Sequence, residues 1–318
     1  MTIPVIIDCD PGIDDVMALT LAFAHPELDI KLITTEPGNQ TQAKTIHNAL
    51  AFTSYMKQDI EIARGLDAPF FRKLEIAAEV HGDNGLGDVQ FPEPTIQLSN
   101  RTAIEAMKET LIASEEQIVL IATGPLTNIG ALLLAHPEVK SKIKYISYMG
   151  GAAVGGNMSP TAEFNVYVDP HAAEIVFQSG IPIVMSGLDV THKAYVTLEE
   201  LDRIEAIGSD FAHKVAAMLR FYVHAAKQTA FHSPEFENRI RLHDLCAVSY
   251  VLTPELFEGD DCYVAIEIEG KYTAGTTVVD YEQRTGLPHN VKVLHTVHRE
   301  KFVEQFMDAV KVMSRHIG

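Results

Sequence analysis

The sequence has few basic side chains, few cysteines and no long apolar stretch, and each shortage excludes a class of protein. Its 318 residues include 25 lysines and arginines against 43 aspartates and glutamates, a formal net charge of −18. Nucleic acids and anionic membranes are bound through basic surfaces, so neither is an expected partner. Cys9, Cys246 and Cys262 form neither a disulfide framework nor a CxxC metal site, which fits a reducing compartment.

The sequence also lacks the patterns of targeting signals and membrane spans. Residues 1–10, MTIPVIIDCD, have neither the basic start nor the long apolar core of a signal peptide. The most apolar stretches, Ile118–Ala122 and residues 181–185, are far shorter than the roughly 20 residues of a membrane helix. We therefore expect a cytoplasmic protein.

Short apolar runs alternate with segments of helical periodicity in the first two thirds of the chain. The runs are residues 5–7, 30–34, Ile118–Ala122, Ile143–Met149 and 181–185, and each precedes Gly or Pro. Continuous Ile and Val runs are typical of strands buried on both faces, as in parallel sheets. The pattern predicts an α/β fold with a Rossmann-like, mostly parallel central sheet flanked by helices. Ligands bind such sheets at the carboxyl ends of the strands, where we expect the active site.

The remainder of the chain is less regular. Residues 198–228, 241–252 and 302–312 are predicted to be mostly helical, and residues 262–268, 276–279 and 291–296 are predicted strands. No repeat, low-complexity tract or Pro-, Gly- and Ser-rich linker divides the sequence. We predict a single domain over residues 1–318.

Four aspartates, Asp8, Asp10, Asp14 and Asp15, follow the first predicted strand within eight residues. Carboxylates stabilise a helix N-terminus, which accounts for one or two of them but not for all four. Negative charges packed so closely raise one another's pKa unless a cation is bound. Oxygen ligands without Cys or His favour calcium or magnesium over zinc. An EF-hand is excluded, because Leu19 stands where its bidentate Glu is required.

Other oxygen-bearing and amide side chains follow the other predicted strands, and none of them is basic. They are Asn39, Thr123, Asn157, Glu163 and Asn165. A Walker phosphate loop is absent, and no Lys or Arg stands near these turns to hold a phosphate, which weakens phosphotransfer functions.

The segment DCDPGIDD, residues 8–15, resembles the N-terminal signature of the nucleoside hydrolases, which hydrolyse N-ribosidic bonds. The resemblance continues in order through Gly38-Asn39, His81-Gly82, Gly85-Leu86, residues 123–128, 149–151, Gly156-Asn157, residues 163–165, Asp169-Pro170, residues 188–191 and His243-Asp244. It spans about residues 5 to 250, and residues 276–280 extend it. It implies a calcium-dependent ribonucleoside hydrolase that releases free base and ribose and forms homodimers or homotetramers.

The resemblance also implies roles for individual residues. The calcium ligands would be Asp10, Asp15, the backbone carbonyl of Thr123 and Asp244, and Asp10 would also activate the attacking water. The ribose would be bound by Asp14, Asn39, Met149, Asn157, Glu163, Asn165 and Asp244. His81 and His243 would lie near the nucleobase, with His243 as the proton donor to the leaving base. Without the resemblance, Asn39 and Asn165 could be turn or capping residues and Met149 a core methionine.

Base specificity is the property that the sequence determines least. Residues 241–247 and 275–280 resemble a broad-specificity bacterial branch that accepts purine and pyrimidine ribonucleosides such as inosine and uridine, although Leu245 replaces the usual Pro. A pyrimidine-preferring ribonucleoside hydrolase is the alternative. Residues 221–238 should contribute to the base pocket, with Gln228 and Phe231 as candidate contacts.

Two remoter alternatives come from other functional classes. A DxD-type metal-dependent phosphohydrolase would need a basic phosphate anchor, and neither Lys nor Arg stands beside Thr123. A non-catalytic nucleoside-binding protein could dispense with Asp10 and His243, and both residues are present.

Overall fold

The computed structural model describes residues 2–227 and 238–318, in which strands and helices alternate. The strands are β1 (Ile3–Cys9), β2 (Leu28–Thr35), β3 (Ile62–Arg64), β4 (Ile118–Ala122), β5 (Ile143–Met149), β6 (Ile183–Ser186), β7 (Tyr195–Thr197), β8 (Arg239–Arg241), β9 (Phe257–Ile266), β10 (Thr277–Asp280) and β11 (Val291–Val297). The α-helices are α1 (Ile13–Ala24), α2 (Gln42–Tyr55), α3 (Ala78–His81), α4 (Ala103–Ala113), α5 (Thr127–Ala135), α6 (Phe164–Val168), α7 (Pro170–Phe177), α8 (Leu188–Thr191), α9 (Leu198–Glu205), α10 (Asp210–Ala226), α11 (Leu245–Leu252) and α12 (Arg299–Ile317).

Nine of these strands form one sheet in the order β10-β9-β11-β6-β5-β4-β1-β2-β3. Pairing is parallel from β3 across to β11, and β9 is antiparallel to both β11 and β10. The predicted mostly parallel, Rossmann-like sheet is thereby confirmed. The chain proceeds from β1 to β2 and β3 on one side and returns to β4 on the other. Such a reversal of strand order opens a crevice at the carboxyl ends of β1 and β4.

The central strands are apolar on both faces because helices cover both sides of the sheet. On β1, Val5 and Ile7 belong to one hydrophobic cluster and Ile6 to the opposite one. The first cluster includes side chains of α1, α10, α11 and α12, and the second includes those of α4, α5 and α7. Burying each such side chain stabilises the fold by roughly 1.5–3 kcal/mol. The two clusters hold the strand ends, and therefore the crevice, in fixed positions.

The predicted helix over residues 241–252 is wrong at its start. Arg241 ends the strand β8, which pairs with β7, and the helix α11 begins only at Leu245. The backbone N–H of Leu242 donates to the carbonyl of Ala194 at 2.9 Å, which extends the contact between the two segments by one bond beyond Arg241. This correction leaves His243 and Asp244 in a turn at the mouth of the crevice.

The predicted helical segment 198–228 is divided into two helices. Gly208 has a φ of +79°, in the left-handed region that ends helices. Ser209 then caps α10, because its Oγ accepts the N–H of Ala212 at 3.0 Å. Gln228 and Phe231, the predicted base contacts, lie outside the described residues.

Among the described residues, no helix combines the length and the apolar character needed to cross a bilayer. Cys9, Cys246 and Cys262 are buried, and all three carry free thiols.

Candidate active site

A cleft of about 280 Å³ opens at the carboxyl ends of the central strands. Ten of the twelve site residues predicted from the sequence line it: Asp14, Asn39, His81, Thr123, Met149, Asn157, Glu163, Asn165, His243 and Asp244. The other two, Asp10 and Asp15, are fully buried next to it. The fold therefore brings together residues that are scattered over most of the chain.

Asn39 joins the two fully buried aspartates. Its backbone N–H donates to Asp10 Oδ2 at 2.7 Å, and its side-chain amide donates to Asp15 Oδ2, also at 2.7 Å. Asp15 Oδ1 accepts a further bond from the Thr123 hydroxyl at 2.8 Å. A Cβ atom at Gly38 would lie 2.2 Å from Asp10 Oδ2, so only glycine allows the backbone to pass so close to this carboxylate. Asn39 is thus more than a turn residue, because it fixes the relative positions of both acids.

Asp14, Asp15 and Asp244 each offer a carboxylate oxygen, and these oxygens lie within 4.8 Å of one another. Burial, followed by the charge of Asp15, raises the pKa of Asp14 to about 7. Burial and the charge of Asp14 raise the pKa of Asp244 well above its usual value. The repulsion would be relieved by a cation, so these three residues could hold a metal ion.

Two buried carboxylate oxygens beside this cluster, Asp10 Oδ1 and Asp14 Oδ1, have no hydrogen-bond partner among residues 2–227 and 238–318. A cation or its water would satisfy them, and an oxygen-only donor set suits a hard ion. The cluster contains Asp14, whereas the resemblance assigns Asp10 to the metal. The carbonyl of Thr123, also a predicted ligand, accepts the side-chain amide of Asn165 at 2.8 Å. The complete ligand set stays a prediction.

The residues predicted to bind ribose are held in place by the backbone. Glu163 caps α6: its Oε1 accepts the N–H of Asn165 at 3.0 Å, and its Oε2 accepts the N–H of Gly151 at 2.8 Å. Burial raises the pKa of Glu163 to about 7. The Asn165 amide also donates to the carbonyl of Met149 at 3.0 Å, and Asn157 Oδ1 accepts the N–H of Phe164 at 2.8 Å. The side chains are therefore pre-positioned around the cleft.

Burial disfavours the charged form of both predicted histidines. Burial lowers the pKa of His81 to about 3. Its Nδ1 accepts the N–H of Ile13 at 3.1 Å, which places its proton on Nε2. Burial, followed by the charges of His192 and Arg241, lowers the pKa of His243 well below its usual value. His243 Nδ1 lies 2.8 Å from the hydroxyl of Thr191. A neutral imidazole donates only from its protonated nitrogen, so the tautomer set by Thr191 decides whether His243 can give a proton to a ligand.

His192 and Arg241 line the cleft but were not predicted as site residues, whereas Tyr222 lies within residues 221–238, which were predicted to contribute to the base pocket. Tyr222 donates its hydroxyl to Asp14 Oδ2 at 3.4 Å, and the His192 ring lies 6.0 Å from that of His243 in a T-shaped contact. Arg241 lines the cleft from β8. His192 directly follows residues 188–191 and Arg241 nearly adjoins His243-Asp244, so closeness to a motif was the available signal for both.

Comparison with known proteins agrees with this geometry. The family model of the inosine-uridine preferring nucleoside hydrolases matches residues 5–304. The chain is 47% identical over 314 residues to the pyrimidine-specific ribonucleoside hydrolase RihA of Escherichia coli K12, covering 98% of this chain and 99% of the relative.

Solved structures show the same likeness. The purine-preferring ribonucleoside hydrolase from Gardnerella vaginalis superposes with a TM-score of 0.91 at 30% identity, covering 98% of this chain and 99% of the other. The plant nucleoside hydrolase PpNRh1 superposes with a TM-score of 0.90, also at 30% identity and with the same coverage. The class of protein is thus that of enzymes that hydrolyse N-ribosyl bonds. The chain belongs to the inosine-uridine preferring nucleoside hydrolase family.

Proposed function

We propose that this ribonucleoside hydrolase acts on purine and pyrimidine ribonucleosides, such as inosine and uridine, and uses calcium as its cofactor. The observation that carries the proposal is the cleft itself, in which buried carboxylates lie together with His81 and His243. Membership of the nucleoside hydrolase family argues against the two remoter alternatives, a DxD-type phosphohydrolase and a non-catalytic nucleoside-binding protein.

The carboxylates of the cleft suit an oxocarbenium-like transition state, in which positive charge develops on the ribose. Calcium would be held by Asp10, Asp15, the Thr123 carbonyl and Asp244, and its chemical contribution when bound is to make water more acidic. Asp10 Oδ1, which has no partner in the described part of the chain, is the base that accepts the proton of the attacking water. Asp14 and the other ribose-binding residues orient the hydroxyls and stabilise the developing charge.

The histidines of the cleft serve the leaving base. If the Thr191 hydroxyl donates to His243 Nδ1, the neutral ring carries its N–H on Nε2 and can hydrogen-bond the departing nitrogen. Complete proton transfer requires the imidazolium, because a neutral ring that gave up its proton would become an imidazolate; in the imidazolium, Nδ1–H donates to the Thr191 hydroxyl and Nε2–H gives its proton to the base. His81, whose proton is also on Nε2, would hydrogen-bond the base or the sugar.

A second candidate function is hydrolysis restricted to pyrimidine ribonucleosides. The relative at 47% identity is named for pyrimidine specificity, whereas the purine-preferring enzyme is 30% identical. We propose the broad specificity first because the family model that matches residues 5–304 is that of inosine-uridine preferring enzymes, whose two named substrates come from the two base classes. A cytoplasmic location and a homodimeric or homotetrameric state complete the proposal, and analytical ultracentrifugation measures the latter.

The test is release of ribose from uridine, cytidine, inosine and adenosine, with calcium and with a chelator. We expect ribose from both base classes, and loss of turnover with the chelator. Ribose from the pyrimidine nucleosides alone would select the second candidate, and no ribose from any nucleoside in calcium would refute both. Asp10→Ala should lower kcat by roughly 10²–10⁴-fold while circular dichroism stays unchanged. The matched control is Asp67→Ala, which removes an exposed acid paired with Arg64.

A further inference from the structure

The cleft is lined by acidic side chains and by basic and imidazole side chains together. The carboxylates include Asp14, Glu163 and Asp244. Among the basic side chains of the lining, Arg241 is distinguished by its position at the end of β8, where it pairs in register with Tyr195 of β7. The strand pairing fixes its backbone, so its side chain has a defined origin beside His243.

Arg241 is partly withdrawn from solvent. The residue is half-buried, and its Nε atom is shielded from water. Arg239, two residues earlier on β8, is exposed, and its guanidinium lies 4.7 Å from the centre of the Tyr195 ring. The charge of Arg239 is therefore solvated and placed over an aromatic ring, while Arg241 is half-buried in the lining of the cleft.

The electrostatic influence of Arg241 extends to the aromatic residues of the cleft. Its charge contributes, after burial, to lowering the pKa of His192 to about 4. It also contributes to the lowered pKa of His243. The pKa of Tyr222 is raised by burial and by nearby acids, and the charge of Arg241 acts against this increase. These three residues all line the cleft, so the guanidinium shares their low-dielectric surroundings.

A guanidinium discriminates between nucleobases by simple chemistry. It carries a permanent positive charge and five N–H donors but has no acceptor. A keto oxygen on the base edge accepts from it, whereas an exocyclic amino group in the same position presents another donor. Arg241 also has contacts within the protein, and five donors allow it to keep these contacts while facing a base.

We infer that Arg241 is a specificity-determining residue that favours ribonucleosides whose base carries a keto oxygen over those with an amino group at the same position. The inference rests on the proposed function and refines its substrate class. It predicts a preference for uridine over cytidine and for inosine over adenosine. The same cation stabilises negative charge on the departing base, which further favours keto bases.

The experiment compares kcat/KM within each matched pair, because uridine and cytidine, like inosine and adenosine, differ only in this group and in the proton on the adjacent ring nitrogen. Arg241→Met should lower the keto-to-amino ratio by about tenfold or more, as expected for loss of one charged hydrogen bond. Arg241→Lys keeps the charge but loses the planar donor geometry, so its keto-to-amino ratio should lie between those of the wild type and Arg241→Met. If only pyrimidine nucleosides are hydrolysed, the uridine and cytidine pair is sufficient.

A second readout does not depend on turnover. Competitive inhibition by free uracil should weaken in Arg241→Met, while inhibition by ribose should stay the same. The control is Arg220→Met, which removes an exposed charge that is paired with Asp202 and Glu205 on the outer side of α10. It should leave both the ratios and the inhibition unchanged.

Two results would overturn the inference. If Arg241→Met lowers kcat/KM equally for keto and amino substrates, Arg241 has a structural role. If the keto-to-amino ratio is unchanged in both Arg241 variants, Arg241 has no role in recognising the base. Should Arg241→Met not fold, Arg241→Lys decides the question through its ratios. Failure of the proposed function is distinguishable, because the wild-type enzyme would then release no ribose from any of the four nucleosides.

Discussion

His192 shows how a single cleft residue couples stability to pH. Burial and the charge of Arg241 lower its pKa from 6.5 to about 4. Between these two values the unfolded chain binds a proton that the folded chain does not, so stability falls as pH decreases from 6.5 towards 4. Each unit of pKa difference corresponds to about 1.4 kcal/mol.

We expect urea unfolding of the wild type and of His192→Gln to diverge over this pH range. The wild type should lose up to about 1.4 kcal/mol more than the variant for each pH unit below 6.5, and the difference should be constant above pH 7. Parallel curves down to pH 4.5 would contradict the assignment. Arg241→Met should reduce the divergence, because it removes one cause of the lowered pKa.

The positions of the site residues were predictable to the extent that they follow strands. Thr123 comes directly after an apolar run, Asp14 and Asn39 follow theirs within a short turn, and parallel strands place their carboxyl ends together. His192 and Arg241 were not predictable in this way. They enter the cleft from α8 and β8, elements whose packing depends on contacts between distant parts of the chain, such as the bond from Leu242 to Ala194.

At the scale of elements, strands buried on both faces were the most predictable. The run Ile118–Ala122 coincides with β4, because all five of its residues are buried and apolar. The run Ile143–Met149 coincides with β5, although Lys144 is exposed and Ser147 is polar, because Ile143 and the last four residues are buried. β9 was recognised only in part: it begins at Phe257, and the rest of its first half is not buried and contains two aspartates. The antiparallel pairing with β11 that stabilises this half is invisible in a local window.

The helix α10 depends on its N-terminal cap, which the break at Gly208 makes necessary. Ser209 Oγ accepts the N–H of Ala212 at 3.0 Å and donates to Ser314 Oγ at 2.8 Å, which ties α10 to α12. Replacing a serine cap with alanine costs about 1 kcal/mol. We therefore expect Ser209→Ala to lower the free energy of unfolding by about that amount. Chemical denaturation measures it.

The control for this prediction is Ser114→Ala, at the C-terminal end of α4, where the hydroxyl donates to the carbonyl of Glu116. It should change the free energy of unfolding by less than about 0.5 kcal/mol. If the two substitutions lower the free energy of unfolding equally, the Ser209 cap stabilises the fold no more than the exposed hydroxyl of Ser114 does. Because α10 carries Tyr222 into the cleft, its stability also matters for the position of Asp14.

For the whole molecule, the distribution of charge matters more than the total of −18. Eight acidic side chains in the described ranges are buried, and they lie around the carboxyl ends of the central strands: Asp8, Asp10, Asp14, Asp15, Glu36, Glu163, Asp169 and Asp244. Burial raises the pKa of Asp8 to about 6 and that of Glu36 well above its usual value. The fold therefore concentrates electrostatic repulsion at its site, and cation binding there is coupled to global stability.

This coupling predicts that calcium raises the melting temperature and that a chelator lowers it. A ligand at 100 times its Kd stabilises the folded state by about 2.7 kcal/mol. Relative to the wild type, Asp244→Asn should be more stable in the chelator but should gain less stability from calcium. In the chelator the variant should melt above the wild type, because the neutral amide removes one buried charge and can donate to Asp14.

In calcium, the same Asp244→Asn variant should gain less stability than the wild type, because it has lost one anionic oxygen from the cluster. The exposed control Asp67→Asn should keep the full calcium increment. Differential scanning calorimetry measures the melting temperatures of the wild type and of both variants in calcium and in chelator. A variant that melts below the wild type in chelator would mean that Asp244 is stabilised by contacts other than a cation, and the link between the acidic cluster and metal binding would then be lost.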